Sequence, residues 1–142
     1  MLIGINPLLS GSILKALDEL GHGDTLVIAD ANFPAHTVGV AAQAPVIDVP
    51  GHPSPQVTSA VRTLLPIDTY EGPAVALMET EPGVSVKVQQ QLIEAAEVST
   101  ERVEYLERFD FYEVAKQAAL VIRTGERRPY GNIILRKGVV SL

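Results

Sequence analysis

The sequence predicts an α/β layered domain with a mostly parallel sheet, on three observations. Short apolar runs alternate along the chain with stretches of helical periodicity, which is the pattern of stacked βα units. The runs are continuous rather than alternating, as in strands covered on both faces. The length, 142 residues, is that of one ordinary domain and leaves no room for two independent cores. No stretch reads as a linker, a repeat or low-complexity sequence.

Composition narrows the function. With 46% apolar and 20% charged residues the chain is globular in type. The longest unbroken apolar runs, Ala74–Met78 and Ala118–Ile122, are far too short to cross a bilayer. The N-terminal Met-Leu-Ile-Gly-Ile-Asn-Pro lacks a signal-peptide pattern, so a cytoplasmic protein is expected. The absence of Cys excludes a disulfide scaffold, a thiolate metal site and a Cys nucleophile. A net charge of −6 argues against a nucleic-acid partner.

In chain order, Ile13, Leu14, Leu17 and Leu20 recur at helical spacing, with Gly21 where a C-terminal cap is expected. Thr25–Ala29 reads as a buried strand ending at Asp30, and Pro45–Val49 as a weaker one. Ser54-Pro55 pairs a capping residue with a first-turn proline, and the helix it starts should bury Val57, Val61, Leu64 and Leu65. Ala74–Glu79 reads as a strand. Ser85–Ala96 reads as a helix with Val86, Gln90 and Ile93 along one line. Val103–Leu106 is a short strand. Asp110-Phe-Tyr-Glu113 has capping-box spacing, with Asp110 as the cap of a helix ending near Ala119. Leu120–Arg123 and Asn132–Leu135 complete the strands, on either side of a turn-rich 125–131 stretch.

In parallel sheets ligands bind just beyond the carboxyl ends of strands, so chemistry is sought there. Asp30 follows a strand and could grip sugar hydroxyls or hold a metal; the competing reading is an Asx turn. His22 lies between two glycines, where a ligand can approach closely, and imidazole suits proton transfer near neutrality. The competing reading is a capped turn at a helix end. His36 and His52 are weaker candidates, and His52 reads as a solvated loop residue. The histidines and acids form no metal-ligand spacing, so no metal site is expected. Five of seven aromatic residues lie from Tyr105 onward. Phe109 and Phe111 read as core or subunit-contact residues, whereas Tyr112 and Tyr130 carry a phenol suited to a polar site. No dinucleotide or phosphate loop and no nucleophile elbow occurs.

Five segments together resemble the D-ribose pyranase / L-fucose mutarotase family, and its fucose branch most. They are Leu20-Gly-His-Gly-Asp24, Ala29-Asp-Ala-Asn-Phe-Pro-Ala35, Leu64-Leu-Pro-Ile-Asp-Thr-Tyr70, Glu107-Arg-Phe-Asp-Phe-Tyr-Glu113, and Arg123-Thr-Gly-Glu-Arg127 with Tyr130-Gly-Asn-Ile-Ile-Leu-Arg-Lys-Gly138. Their joint order is the specific signal; residues 38–60 and 80–100 carry little of it. The resemblance implies a single three-layer domain, Rossmann-like without a dinucleotide site. It implies a homo-oligomer, often a decamer of stacked pentamers, with sites near subunit contacts. It also implies ring-form interconversion of a free monosaccharide, L-fucose or similar, without cofactor or metal. By position, His22 matches the proton donor and Tyr112 a second catalytic residue. Asp30, Asp68, Arg108, Tyr130, Gly131 and Asn132 match substrate-binding positions. Arg108 stands in a Glu-Arg-Phe motif typical of the fucose branch. Pro129 departs from the motif and restricts Arg128 to extended conformations.

These residue types suit mutarotation. One group removes the anomeric O–H proton while another protonates the ring oxygen; the C1–C2 bond turns, and the roles reverse. Carboxylates accept from sugar hydroxyls, Arg offers a fixed fork of donors, and Asn does both. Two other readings stay open: a non-catalytic sugar-binding or regulatory protein on the same fold, and a pyranase for another sugar such as ribose.

Overall fold

A computed structural model describes residues 1–70 and 72–141. Its elements are α1 (Gly11–Asp18), β1 (Thr25–Ala29), α2 (Ala35–Ala42), β2 (Val46–Val49), α3 (Ser54–Arg62), β3 (Val75–Met78), α4 (Lys87–Ala96), β4 (Val103–Leu106), α5 (Arg108–Ala115), β5 (Leu120–Thr124) and β6 (Ile133–Arg136). The six strands form one sheet in the order β2-β5-β1-β6-β3-β4. Neighbours run parallel except at β6, which is antiparallel to both β1 and β3.

The three layers follow from the period-2 alternation of strand side chains. Leu26, Ile28, Leu77, Leu120, Ile122, Ile133 and Leu135 face one side, where they pack with Ile13 of α1, Val57 and Val61 of α3 and Leu92 of α4. Val27, Ala29, Ala76, Met78, Val121 and Ile134 face the other, against Val38 of α2 and Phe111 of α5. Both faces of the central strands are therefore dry, which is why their sequences are apolar throughout. Truncating a fully buried strand residue such as Leu77 to Ala should cost about 2–5 kcal/mol.

Several local expectations are corrected. Helix α2 was not anticipated: AHTVGVAA mixes glycine with β-branched residues and has weak intrinsic helicity. Packing decides it, because a Cβ on Gly39 would come 2.3 Å from Val46 Cγ2, so only glycine lets α2 lie this close to β2. Helix α1 ends at Asp18 with Glu19 as its cap; Gly21 belongs to the next turn, where its N–H donates to Asp24 Oδ2 at 2.7 Å. Pro53 stands at the N-cap position of α3 without a side-chain capping bond, Ser54 is the first helical residue, and Leu64 lies beyond the helix end and is exposed. In α4 the buried line is Val88, Leu92 and Ala96 rather than Val86, Gln90 and Ile93. Gln89 is buried there because its Nε2 donates to the Met78 carbonyl. The cap of α5 is Glu107, which accepts from the N–H groups of Phe109 and Asp110. Asp110 instead lies in the first turn, where its charge suits the helix dipole, and the helix stops at Ala115. Phe111 is core, whereas Phe109 is exposed.

Candidate functional site

The residues singled out from the sequence gather at two ends of the sheet. At the carboxyl end of β1, Asp30 meets Asn132, which enters β6 alongside it. Asn132 Oδ1 accepts from the Asp30 backbone N–H at 2.7 Å, and Asn132 Nδ2 donates to Asp30 Oδ2 at 2.9 Å. Asp30 Oδ1 accepts from the Asn32 N–H at 2.9 Å, which is the Asx turn expected as the competing reading. The turn and the polar site are thus one structure. Burial pushes the Asp30 carboxyl above its usual range, against the pull of these hydrogen bonds, and the nearby Glu126 charge adds to the rise.

Beside this pair the loop before β6 is tightly built. Tyr130 has φ 62°, a left-handed conformation uncommon for a bulky residue. Gly131 is needed for close approach: a Cβ there would lie 2.6 Å from Glu126 Cγ. Glu126 is buried and accepts from Arg128 three times, at its backbone N–H, Nε and NH2. These charge-assisted bonds hold the Glu126 carboxyl below its usual range. Arg128 also donates through NH1 to Gln91 Oε1 on α4 at 2.7 Å. Glu126 and Arg128 were not singled out from the sequence, although they lie in the quoted segments or beside them.

Tyr112 on α5 packs edge-on against Phe33 and Phe109, with centroids 5.6 and 6.3 Å apart. Arg108 lies over the Phe109 ring at 4.7 Å. Arg108, Phe109 and Tyr130 line a hollow of about 380 Å³ together with Glu79, Thr80, Glu81, Pro82 and Glu107. The structure therefore brings Arg108, Tyr130, Gly131, Asn132, Asp30 and Tyr112 to one end of the domain.

His22 and Asp68 lie at the opposite end. The Gly-His-Gly turn precedes β1, and Gly23 supplies its left-handed residue at φ 85°. His22 Nε2 is 3.4 Å from Asp68 Oδ1, and its ring lies 4.9 Å from that of Tyr70, an exposed residue the sequence reading left without a role. The Tyr70 N–H donates to Asp68 Oδ1, and Arg136 approaches Asp68 Oδ2 at 4.0 Å. The Tyr70 N–H, then His22 and Arg136, hold the buried Asp68 carboxyl below its usual range. His36 is exposed and takes no part in either group, and His52 Nδ1 pairs with Gln56 Oε1 at 3.0 Å. Among the described residues no cluster of His, Asp and Glu has the makings of a metal site. No helix among them is long and apolar enough to cross a membrane.

Comparison with known proteins gives the arrangement its context. The L-fucose mutarotase of Actinobacillus pleuropneumoniae serotype 5b is 40% identical over 147 residues, covering all of this chain and 99% of that protein. The human fucose mutarotase is 40% identical over 146 residues, covering 98% and 94%. The crystal structure of the Streptococcus pneumoniae fucose mutarotase in complex with L-fucose matches at a TM-score of 0.88 and 35% identity, covering 99% and 100%. Bacillus subtilis RbsD complexed with D-ribose matches at 0.78 and 27%, covering 99% and 100%. The family model described as the RbsD / FucU transport protein family spans residues 3–140, and the chain belongs to that family.

Proposed function

We propose that the protein is an L-fucose-type mutarotase, which interconverts the α and β anomers of a free monosaccharide by acid–base opening and closing of the ring. The observation that carries this reading is the full-length likeness, in sequence and fold, to fucose mutarotases, one of them solved with its sugar. His22 and Tyr112 are the proton-transfer groups. Asp30, Arg108, Tyr130, Gly131 and Asn132 bind the sugar, with the Asp30 carboxylate accepting from hydroxyls and Arg108 donating. Asp68, matched to a substrate-binding position, binds the sugar beside His22. Positioned acid–base groups supply a factor of about 10²–10⁴, which is ample for a reaction that already proceeds in water. No cofactor is needed for these steps.

The geometry adds a condition. Strand β1, five residues rising ~3.3 Å each, lies between His22 and Asp30, so one sugar cannot touch both within one copy. In the proposed enzyme each site combines the Asp30 end of one copy with the His22 end of the next. Such a head-to-tail contact closes into a ring where its rotation divides a full turn. Together with the resemblance, this supports a homo-oligomer larger than a dimer, with the decamer as its full form and the cytoplasm as its location.

Saturation-transfer NMR of L-fucose, D-ribose and D-galactose tests the reading. Transfer between the anomeric resonances of L-fucose, well above the buffer rate and above that for D-ribose, is the expected result. Binding of sugar without added transfer would assign the protein to the non-catalytic class, and transfer favouring D-ribose would make it a pyranase.

A further inference from the structure

The loop between β5 and β6 reverses the chain at Pro129-Tyr130, with φ 62° at Tyr130. Proline followed by a residue of positive φ is the pattern of a type II turn, whose second central residue is ordinarily glycine or asparagine. A tyrosine persists there only where its surroundings over-determine the conformation. Downstream, Gly131 lies against Glu126 Cγ, and Asn132 is clasped to Asp30. Upstream, the anchor is Arg128. Its backbone N–H and Nε donate to Glu126 Oε1 at 3.0 and 2.8 Å, NH2 donates to Oε2 at 2.8 Å, and NH1 donates to Gln91 Oε1 of α4 at 2.7 Å. Glu126 is itself fixed: it is 3% exposed, its N–H donates to Thr124 Oγ1, and its carbonyl accepts from the Ala31 N–H. Pro129 passes this fixity on, since its ring sets its own φ and holds Arg128 extended.

We infer that Arg128 is a positioning residue: by clamping the loop to Glu126 and to α4 it holds Tyr130 in the left-handed conformation in which Tyr130 lines the hollow beside Arg108 and Phe109. The guanidinium is committed to Glu126 and Gln91, and Arg128 is not among the residues lining that hollow, so it acts on the sugar through Tyr130. Lysine in its place would keep a positive charge against Glu126. It would lose the planar fork that reaches both Glu126 oxygens and Gln91 together. With the fork gone, the loop is free to relax Tyr130 to a negative φ, where a bulky residue is at home.

The consequence for the sugar rests on the mutarotase reading; the geometry does not. Arg128→Lys is the variant of choice, because it leaves a cation beside the buried Glu126 and so preserves the fold. Crystal structures of the sugar-free wild type and of Arg128→Lys come first. The expected result is a left-handed Tyr130 in the wild type and a changed φ or a displaced ring in the variant. Tyr130 unmoved in Arg128→Lys would overturn the inference. Affinity for L-fucose is then measured in a double-mutant cycle with Tyr130→Gly, since glycine takes the left-handed conformation freely. Arg128→Lys should weaken binding about 10-fold when residue 130 is tyrosine and less than about twofold when it is glycine. Equal losses in both backgrounds would make Arg128 a direct contact or a general support of the fold, and would also overturn the inference. In anomer exchange Arg128→Lys should raise KM and leave kcat within about twofold; the reverse pattern would tie Arg128 to proton transfer instead. If the wild type neither binds fucose nor exchanges its anomers the mutarotase reading falls, while the structures still decide whether Arg128 holds Tyr130.

Discussion

Asn132 binds Asp30 from two directions, accepting its backbone N–H through Oδ1 and donating to its carboxylate through Nδ2. The first bond fixes which way the carboxamide points, so the second is not an accident of orientation. Each carboxylate oxygen of Asp30 holds one protein donor and keeps lone-pair capacity for a sugar hydroxyl. The clasp also joins the end of β1 to the entry of β6, at the place where the sheet turns antiparallel.

Replacing that carboxamide by a carboxylate should be costly. Asn132→Asp removes the Nδ2 donor and sets a second acid against one whose charge is already disfavoured by burial. The expected loss is about 1–3 kcal/mol of stability, with sugar binding abolished. It should grow as pH rises, because protonation of either acid relieves the repulsion. Urea denaturation at mildly acidic and mildly alkaline pH checks this; equal loss at both would show that the two side chains do not interact.

His22→Ala and Tyr112→Phe should each slow anomer exchange by about 10²–10⁴ while changing sugar affinity little, since proton transfer is realised only in the transition state. Asp30→Asn should chiefly weaken binding. Exchange rates and binding constants on the same variants separate these effects. Wild-type exchange in His22→Ala would reduce the histidine to a turn residue. Neither substitution at these proposed proton-transfer groups should unfold the chain, because His22 is exposed and Tyr112 keeps its ring contacts in the Phe variant.

Continuous apolar strands such as TLVIA and VALM were legible because burial on both faces leaves no other composition. Helix α2 was not, since its stability comes from Gly39 seated on Val46 rather than from its own residues. The α5 start was misplaced because two acids, Glu107 and Asp110, both sit where a cap would serve, and only backbone geometry chooses Glu107. For the site, individual residues could be named from the sequence, but their grouping could not. His22 and Asp30 are only eight positions apart in the chain, yet the strand between them sends them to opposite ends. The Asp68–His22 contact spans 46 positions, and no local spacing announces it.

The buried acids should leave opposed marks on the pH dependence of stability. Arg128 depresses the Glu126 carboxyl, so the unfolded chain binds its proton more readily than the folded one. Stability from Glu126 is then complete above the usual glutamate range and is lost as pH falls through its lowered value. Asp68 acts in the same direction. Asp30 is raised, so its charge costs stability above its folded value, and the cost disappears as pH falls through that value. Glu126→Gln should therefore lower stability at neutral pH and flatten the acid limb of the curve. Asp30→Asn should remove a decline on the neutral side. Denaturation midpoints measured across the acid range test both; an acid limb unchanged in Glu126→Gln would show that the Arg128 pairing contributes nothing.

The division of the proposed site between copies can be tested without knowing the size of the ring. His22→Ala spoils the proton-transfer end of a copy and leaves its Asp30 end intact; Asp30→Asn does the reverse. Alone, each variant gives assemblies in which every site is defective. Co-expressed in equal amounts, they assemble at random. A working site then needs its His22 from an Asp30→Asn copy and its Asp30 from a His22→Ala copy. Each choice is met half the time, so activity should return to about a quarter of the wild-type rate under head-to-tail closure. If both residues served the same sugar from one copy, every site would carry one lesion and mixing would restore nothing. A double variant mixed with wild type supplies the control: intact contacts again make up about a quarter of the total for sites shared between copies, but about half for sites within one. Anomer exchange measured on the two mixtures, at equal total protein, distinguishes the arrangements.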